Sequence, residues 1–90
     1  MAMRITEVQI FLTDEGNLLA YADITIDNSF RVRDLEIFCR GRAYLVAMPQ
    51  VKLKNGKYRE IAFAINAKTR KVIEEAVITE YKKVAGTEAK

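Results

Sequence analysis

The residues from Leu18 to Asp27 alternate between apolar and polar side chains, and this alternation constrains the fold more than any other feature of the sequence. A period of two is typical of a β-strand with one buried face. Five apolar side chains share one face of this segment: Leu18, Ala20, Ala22, Ile24 and Ile26. The polar side chains of Asp23, Thr25 and Asp27 point the other way, so we predict a half-buried strand here.

Strands are also predicted on both sides of this segment. Residues 4–12 place Val8, Ile10 and Leu12 on one face, and the turn at residues 14–17 offers Gly16 or Asn17 for a positive φ. A second turn at residues 27–29 leads to a third strand that begins at Phe30.

The third strand changes phase midway. Its apolar side chains fall at even positions through Val32 and at odd positions from Leu35 to Cys39. Because a period of two cannot change phase without an extra residue, we predict a β-bulge or break near Arg33-Asp34.

The second half of the chain alternates less regularly. A short apolar strand is predicted at residues 43–48, and Pro49 ends it. Residues 50–57 form a polar loop or a hairpin tip, since Asn55-Gly56 is a strong turn dipeptide. A returning strand is predicted over residues 58–65.

A single helix is predicted after these strands. Asn66 is a suitable N-cap for a helix over residues 67–84, and Gly86 is a suitable stop. At 100° per residue the apolar stripe contains Ile73, Ala76, Val77, Tyr81 and Val84. Arg70 and Glu80 lie close to this stripe, so we expect them to pair at the core edge or to meet another subunit.

These elements together predict an α+β fold, an antiparallel β-sheet of about five strands with a C-terminal α-helix packed on it. The 90 residues suffice for one domain, which we place at residues 3–86. Residues 1–2 are expected to be an N-terminal extension and residues 87–90 a frayed tail.

Charge is segregated along the chain. The first thirty residues carry five acidic side chains and one basic, whereas the segment from Arg40 to Lys71 carries nine basic side chains and one acidic. Such segregation creates a local positive field that attracts polyanions, which makes nucleic acid a candidate partner. The basic residues are Arg40, Arg42, Lys52, Lys54, Lys57, Arg59, Lys68, Arg70 and Lys71.

The composition argues against several functional classes. The chain has no histidine, which removes the commonest general base and most zinc ligand sets. Its single cysteine, Cys39, excludes an intramolecular disulfide and is consistent with a reducing cytosol. No apolar run is long enough to cross a membrane, and Glu7 precedes any apolar stretch of a secretory signal. We expect no enzymatic activity, cofactor, metal site, small-molecule substrate or membrane association.

Two segments are more distinctive than the composition requires, and others upstream extend the pattern. Together they resemble the bacterial SpoVG family (stage V sporulation protein G), a family of septation regulators, over nearly all of residues 3–84. The two segments are Tyr44-Leu45-Val46-Ala47-Met48-Pro49 and Gly56-Lys57-Tyr58-Arg59-Glu60-Ile61-Ala62, the latter leading into Ile65-Asn66 and Thr69-Arg70. The upstream segments are Met3-Arg4-Ile5-Thr6-Glu7-Val8, Ala22-Asp23-Ile24-Thr25-Ile26-Asp27 and Phe30-Arg31-Val32-Arg33-Asp34-Leu35.

The resemblance implies a cytoplasmic homodimer, compatible with association with the nucleoid, that binds DNA or RNA and regulates gene expression and septation without catalysis. It also implies which residues bind nucleic acid: Lys52, Lys54, Lys68, Arg70 and Lys71, with Arg59 in the strand motif. Two departures from the family pattern, at Gln50-Val51-Lys52 and at Phe63-Ala64, remove a basic residue and a His-Pro pair that many relatives carry.

The chemistry of these side chains suggests separate roles. The guanidinium groups of Arg59 and Arg70 can hold a phosphate with two hydrogen bonds or stack on a base. The alternative is a structural ion pair, with a cross-strand acid for Arg59 and with Glu74 for Arg70. Tyr58 is the best candidate for base stacking because it follows the exposed loop, although such aromatics are more often core.

A different class of function remains open on the sequence alone. The basic segment could dock an acidic protein, which would make the chain a protein-interaction adaptor.

Overall fold

The computed structural model describes residues 3–86, a four-stranded antiparallel sheet, a separate two-stranded hairpin and one C-terminal helix. The predicted extension at residues 1–2 and the predicted tail at residues 87–90 lie outside the described residues. The elements, in chain order, are β1 (Ile5–Glu15), β2 (Leu18–Ile26), β3 (Phe30–Arg40), β4 (Ala43–Ala47), β5 (Gln50–Lys52), β6 (Tyr58–Glu60) and α1 (Ala67–Ala85). The predicted α+β class is confirmed.

The main sheet is a meander in which each strand pairs with the next along the chain. The tight turn between β1 and β2 is built on Gly16, whose φ is +66°. The turn between β2 and β3 places both Asp27 and Asn28 at positive φ, as in the turn type that suits a two-residue hairpin loop. Because both connections are this short, the first three strands are held in antiparallel order.

The predicted bulge in β3 is confirmed. Ala22 pairs with Leu35 while Ile24 pairs with Val32, so β3 has one residue more than β2 over this interval. The extra residue is accommodated at Asp34, which adopts a left-handed φ of +68°. As a result, Val32 and Leu35 both face the helix, although two residues three apart lie on opposite faces of a regular strand.

A carboxylate buried beside the bulge holds it in place. Asp23 is only 7% exposed, and its Oδ1 accepts a hydrogen bond from the backbone N–H of Asp34 at 3.3 Å. Its Oδ2 lies 3.9 Å from Nε of Arg33. Alternation assigns Asp23 to the polar face of β2. Its carboxylate therefore stabilises the bulge of β3 from that face.

The core lies between the sheet and α1. The strands contribute Ala20, Ala22, Ile24, Leu35, Ile37 and Val46, and the helix contributes Ile73, Val77 and Tyr81. Small alanines in β2 leave room for the larger helix side chains that pack over them. Tyr81 also makes an edge-on contact with Tyr44, with ring centroids 5.5 Å apart.

The ends of α1 follow the sequence signals. The Oδ1 of Asn66 accepts a hydrogen bond from the N–H of Thr69 at 2.8 Å, which confirms it as the N-cap. Gly86 adopts a left-handed φ of +74° and its N–H donates to the carbonyls of Lys82 and Lys83. The helix thus ends one residue beyond the predicted residue 84.

The extent of one predicted strand was wrong. Residues 58–65 do not form one strand, because pairing stops at Glu60 and β5 offers no partner beyond its first residue, Gln50. Leu12 shares a face with Val8 and Ile10, as predicted, but is exposed. Val84, placed in the apolar stripe of the helix, is exposed as well.

The core assignment predicts unequal costs for the same substitution at two leucines. Leu35 is 0% exposed and Leu12 is 55% exposed. Leu35→Ala should lower the free energy of unfolding by about 2–5 kcal/mol, because it leaves a cavity beneath the helix. Leu12→Ala should change it by no more than about 0.5 kcal/mol. Urea denaturation followed by circular dichroism measures both, and equal effects would contradict the assignment.

Candidate nucleic-acid interface

The segment predicted as a polar loop or hairpin tip is a hairpin, which we call the hairpin arm (residues 50–60). Its two strands pair from Gln50–Glu60 to Lys52–Tyr58. The N–H of Leu53 donates to the carbonyl of Lys57 at 2.7 Å and closes the turn. Asn55 accepts from the N–H of Lys57 at 2.9 Å, and Gly56 supplies a φ of +86°. The Asn55-Gly56 signal therefore marks the tip of this arm.

The two faces of the hairpin arm differ in chemistry. Side chains alternate along a strand, so Lys52 and its cross-strand partner Tyr58 share one face. Val51 and its partner Arg59 share the other face, where they line a shallow groove with Leu53, Ile61 and Phe63. Lys52 and Arg59, both predicted to bind nucleic acid, therefore point in opposite directions.

The start of α1 is a second basic region. Lys68 and Lys71 are exposed, and the first turn of the helix contains no acidic residue. The positive end of the helix dipole adds to the potential of these ammonium groups. Lys71 lies 4.0 Å from Glu75 in an exposed pair, which contributes little and leaves the lysine able to meet a phosphate.

Arg70 has a structural role that separates it from its neighbours. Its Nε donates to a carboxylate oxygen of Glu74 at 2.9 Å, and its Nη2 donates to the backbone carbonyl of Val46 at 3.1 Å. The pair with Glu74 is the alternative left open by the sequence. The guanidinium group thus links the first turn of α1 to β4, and its Nε and Nη2 donors are already used within the protein.

This tie places the two basic regions at the same end of the sheet. β4 leads through Met48 and Pro49 directly into the hairpin arm, and Arg70 holds the start of α1 against β4. The N–H of Ile61 donates to the carbonyl of Pro49 at 2.9 Å, which closes the base of the arm. Lys52 and Lys54 on the arm and Lys68 and Lys71 on the helix therefore extend from one structural junction.

Most of the predicted cations have no acidic partner within the protein. Among residues 3–86, neither Lys52, Lys54, Arg59 nor Lys68 makes an ion pair. Tyr58, the candidate for base stacking, is 63% exposed rather than part of the core. Exposed, unneutralised ammonium groups beside an exposed aromatic ring are able to bind phosphates and bases.

Sequence reasoning missed an apolar surface at the same junction. Ile61, Phe63 and Ile65 are exposed in the irregular segment that joins the hairpin arm to α1. Of these, Phe63 borders an apolar cavity of ≈270 Å³, together with Phe30, Met48 and Ile73. Val51 and Leu53 are two residues apart, as are Ile61 and Phe63, and this spacing indicates an apolar face. The high charge of the segment drew attention away from it.

The fold and this surface define a small α+β domain with a projecting basic hairpin. The SpoVG family profile matches residues 3–83. The chain belongs to the SpoVG family.

Individual relatives cover most of both chains. A Bdellovibrio bacteriovorus protein is 43% identical over 81 residues, which is 90% of this chain and 75% of the relative. A Myxococcus xanthus protein is 40% identical over 81 residues, with coverage of 90% and 82%. A Clostridium acetobutylicum protein is 38% identical over 87 residues, with coverage of 96% and 92%. All three bear the name septation protein SpoVG as a provisional assignment.

The one helix that the structure describes, α1, is not apolar enough over its length to cross a membrane.

The contacts of Arg70 predict a loss of stability when it is truncated. Arg70→Ala should lower the free energy of unfolding by about 1–3 kcal/mol, because the carbonyl of Val46 and the carboxylate of Glu74 lose their donor. Lys68→Ala, two residues away on an exposed site, should change it by no more than about 0.5 kcal/mol. Chemical denaturation measures both variants. An Arg70→Ala variant as stable as the parent would contradict the structural role.

Proposed function

We propose that this protein is a dimeric, non-enzymatic regulator that binds DNA or RNA through the polar face of the hairpin arm and the start of α1. The observation that carries the proposal is the set of exposed lysines at one structural junction, Lys52, Lys54, Lys68 and Lys71, only the last of which has an acidic neighbour within residues 3–86. Membership of the SpoVG family supports the part of the proposal that concerns cell division, since the names of the relatives place them in septation. We place the protein in the cytoplasm, where it would act on gene expression and cell division.

The lysines and Arg70 have different roles in this proposal. Lysine acts as a point charge, so Lys52, Lys54, Lys68 and Lys71 neutralise phosphates and release counterions without reading sequence. Arg70 acts indirectly by holding the start of α1 in place. Tyr58 stands beside Lys52 across the arm, so a base stacked on its ring would have a cation next to its phosphate.

This arrangement favours unpaired over paired nucleic acid. A base within a duplex presents only its edge, whereas an unpaired base can lie flat on the ring of Tyr58. The contacts to phosphates are common to both ligands. The proposal therefore assigns general affinity to the four lysines and the preference for single strands to Tyr58.

The lysines at the helix start predict a position-specific loss of binding. The double variant Lys68→Glu, Lys71→Glu should weaken binding to single-stranded RNA by at least about tenfold, because two phosphate contacts become repulsive. Lys83→Glu makes the same kind of change at the far end of the same helix and should have a much smaller effect. Fluorescence anisotropy with labelled oligonucleotides measures both. Equal affinity of the double variant and the parent would overturn the proposed site.

The number of lysines predicts the dependence of affinity on salt. If the four lysines of one protomer contact phosphates, the slope of log affinity against log salt should be roughly −3.5 on duplex DNA and roughly −3 on single strands. Tyr58→Ala should weaken single-strand binding without changing the slope. Anisotropy across a salt series measures these quantities. Absence of binding even at low salt would favour the protein-interaction adaptor, which capture from nuclease-treated lysate would then test.

A further inference from the structure

One face of the hairpin arm is apolar and remains largely exposed within the described protein. All six residues of β5 and β6 are exposed, and the groove beside them is lined by Val51, Leu53, Arg59, Glu60, Ile61 and Phe63. An isolated two-stranded hairpin is only marginally stable in water. The groove brings Val51 and Leu53 of the arm together with Ile61 and Phe63 of the segment that follows it. Beside the unpaired Arg59, these four apolar side chains form a surface of the kind that is covered in an assembled protein.

A second apolar surface, with charges of the opposite sign, lies on the face of the main sheet turned away from α1. We call it the outer face. The strand register places Phe11, Tyr21, Glu36 and Ala47 in one row across the four strands. Phe38 and Leu45 form a neighbouring pair. Phe11 and Leu45 are exposed although they are large and apolar. The outer face is therefore also partly apolar and uncovered.

Three acidic groups that have no salt-bridge partner in the described part of the chain lie at or near Tyr21 and Glu36 in this row. Partial burial, followed by repulsion from Asp34 and Glu15, raises the pKa of Glu36. Repulsion from Glu15, followed by burial and the charges of Glu36 and Asp34, raises the pKa of Tyr21. Within residues 3–86, none of Glu15, Asp34 and Glu36 forms a salt bridge. The outer face thus combines exposed apolar side chains with a group of unpaired carboxylates around Glu36, whereas Arg31 and Arg33 on the same face pair with Glu7 and Asp23.

We propose that the apolar face of the hairpin arm docks on the outer face of a second copy of this chain, with Arg59 directed at the carboxylates around Glu36. The two surfaces are complementary. Both are partly apolar, and the arm has an unpaired cation where the outer face has unpaired anions. Two copies carry one arm and one outer face each, so a reciprocal exchange of arms covers all four surfaces in a closed dimer. The inference rests on the dimer of the proposed function and assigns its interface.

Docking in this way divides the hairpin arm between two partners. Val51, Leu53 and Arg59 would be buried against the second copy, while Lys52 and Tyr58 on the opposite face stay free for nucleic acid. Arg59 then belongs to the interface between subunits and does not contact phosphate directly. Reversal of the charge at Arg59 and at Lys52 should therefore have different consequences.

A charge exchange tests the interface directly. Arg59→Glu alone and Glu36→Arg alone should each raise the dimer dissociation constant by at least about tenfold, because each places like charges together. The double variant Arg59→Glu, Glu36→Arg restores opposite charges and should recover most of the lost affinity. Lys52→Glu is the matched control, since it reverses a charge on the other face of the same hairpin and should leave the dimer intact. Sedimentation equilibrium measures all four, with circular dichroism to show that each variant is folded.

The outcomes separate this inference from the proposed function. Weak dimers for both single variants with recovery in the double variant would support it. A double variant as weak as the single ones, or a single variant that dimerises like the parent, would show that the arm does not dock on the outer face. A parent protein that is a monomer at micromolar concentration would overturn it as well. Anisotropy on the same samples reports nucleic-acid binding, which Lys52→Glu should weaken in either case.

Discussion

The hydrogen bond from the backbone N–H of Asp34 to the buried carboxylate of Asp23 fixes the arrangement on which the rest of the structure depends. It holds the extra residue of β3 in a left-handed conformation that costs most side chains free energy. Without that residue, Leu35 and Ile37 would turn to the outer face, because a shift of one position reverses every side chain after it. The helix would then have no continuous apolar surface to cover.

The same bulge separates the two chemical surfaces of the protein. After it, the odd positions of β3 face α1 and the even position Glu36 falls on the outer face, among other acids. β4 continues the sheet and ends at Ala47, and the chain passes through Met48 and Pro49 into the basic hairpin arm. The unpaired carboxylates around Glu36 thereby lie on the sheet, whereas the unpaired lysines of the candidate interface lie on the arm and at the start of α1. In the proposed account, one face of the arm meets a second subunit and the other meets nucleic acid.

The sequence predicted the features that depend on local chemistry. The alternation of β2, the bulge near Asp34, the Asn55-Gly56 turn and the Asn66 cap all follow from side chains within a few residues of one another. The length of β6 did not, because a strand ends where its partner ends, and that depends on the path of the chain after Pro49. The choice between phosphate and Glu74 for Arg70 was open for a similar reason, since its second acceptor, the carbonyl of Val46, is distant in sequence.

The most direct test of the account is to map the nucleic-acid contacts residue by residue, by titrating the ¹⁵N-labelled protein with a short single-stranded RNA and following the amide resonances. The account predicts that the largest shifts occur at Lys52, Lys54, Tyr58, Lys68 and Lys71, and that Phe11, Tyr21 and Glu36 on the outer face stay unchanged. Shifts concentrated on β1 and β2, or none at concentrations that saturate binding in anisotropy, would contradict it.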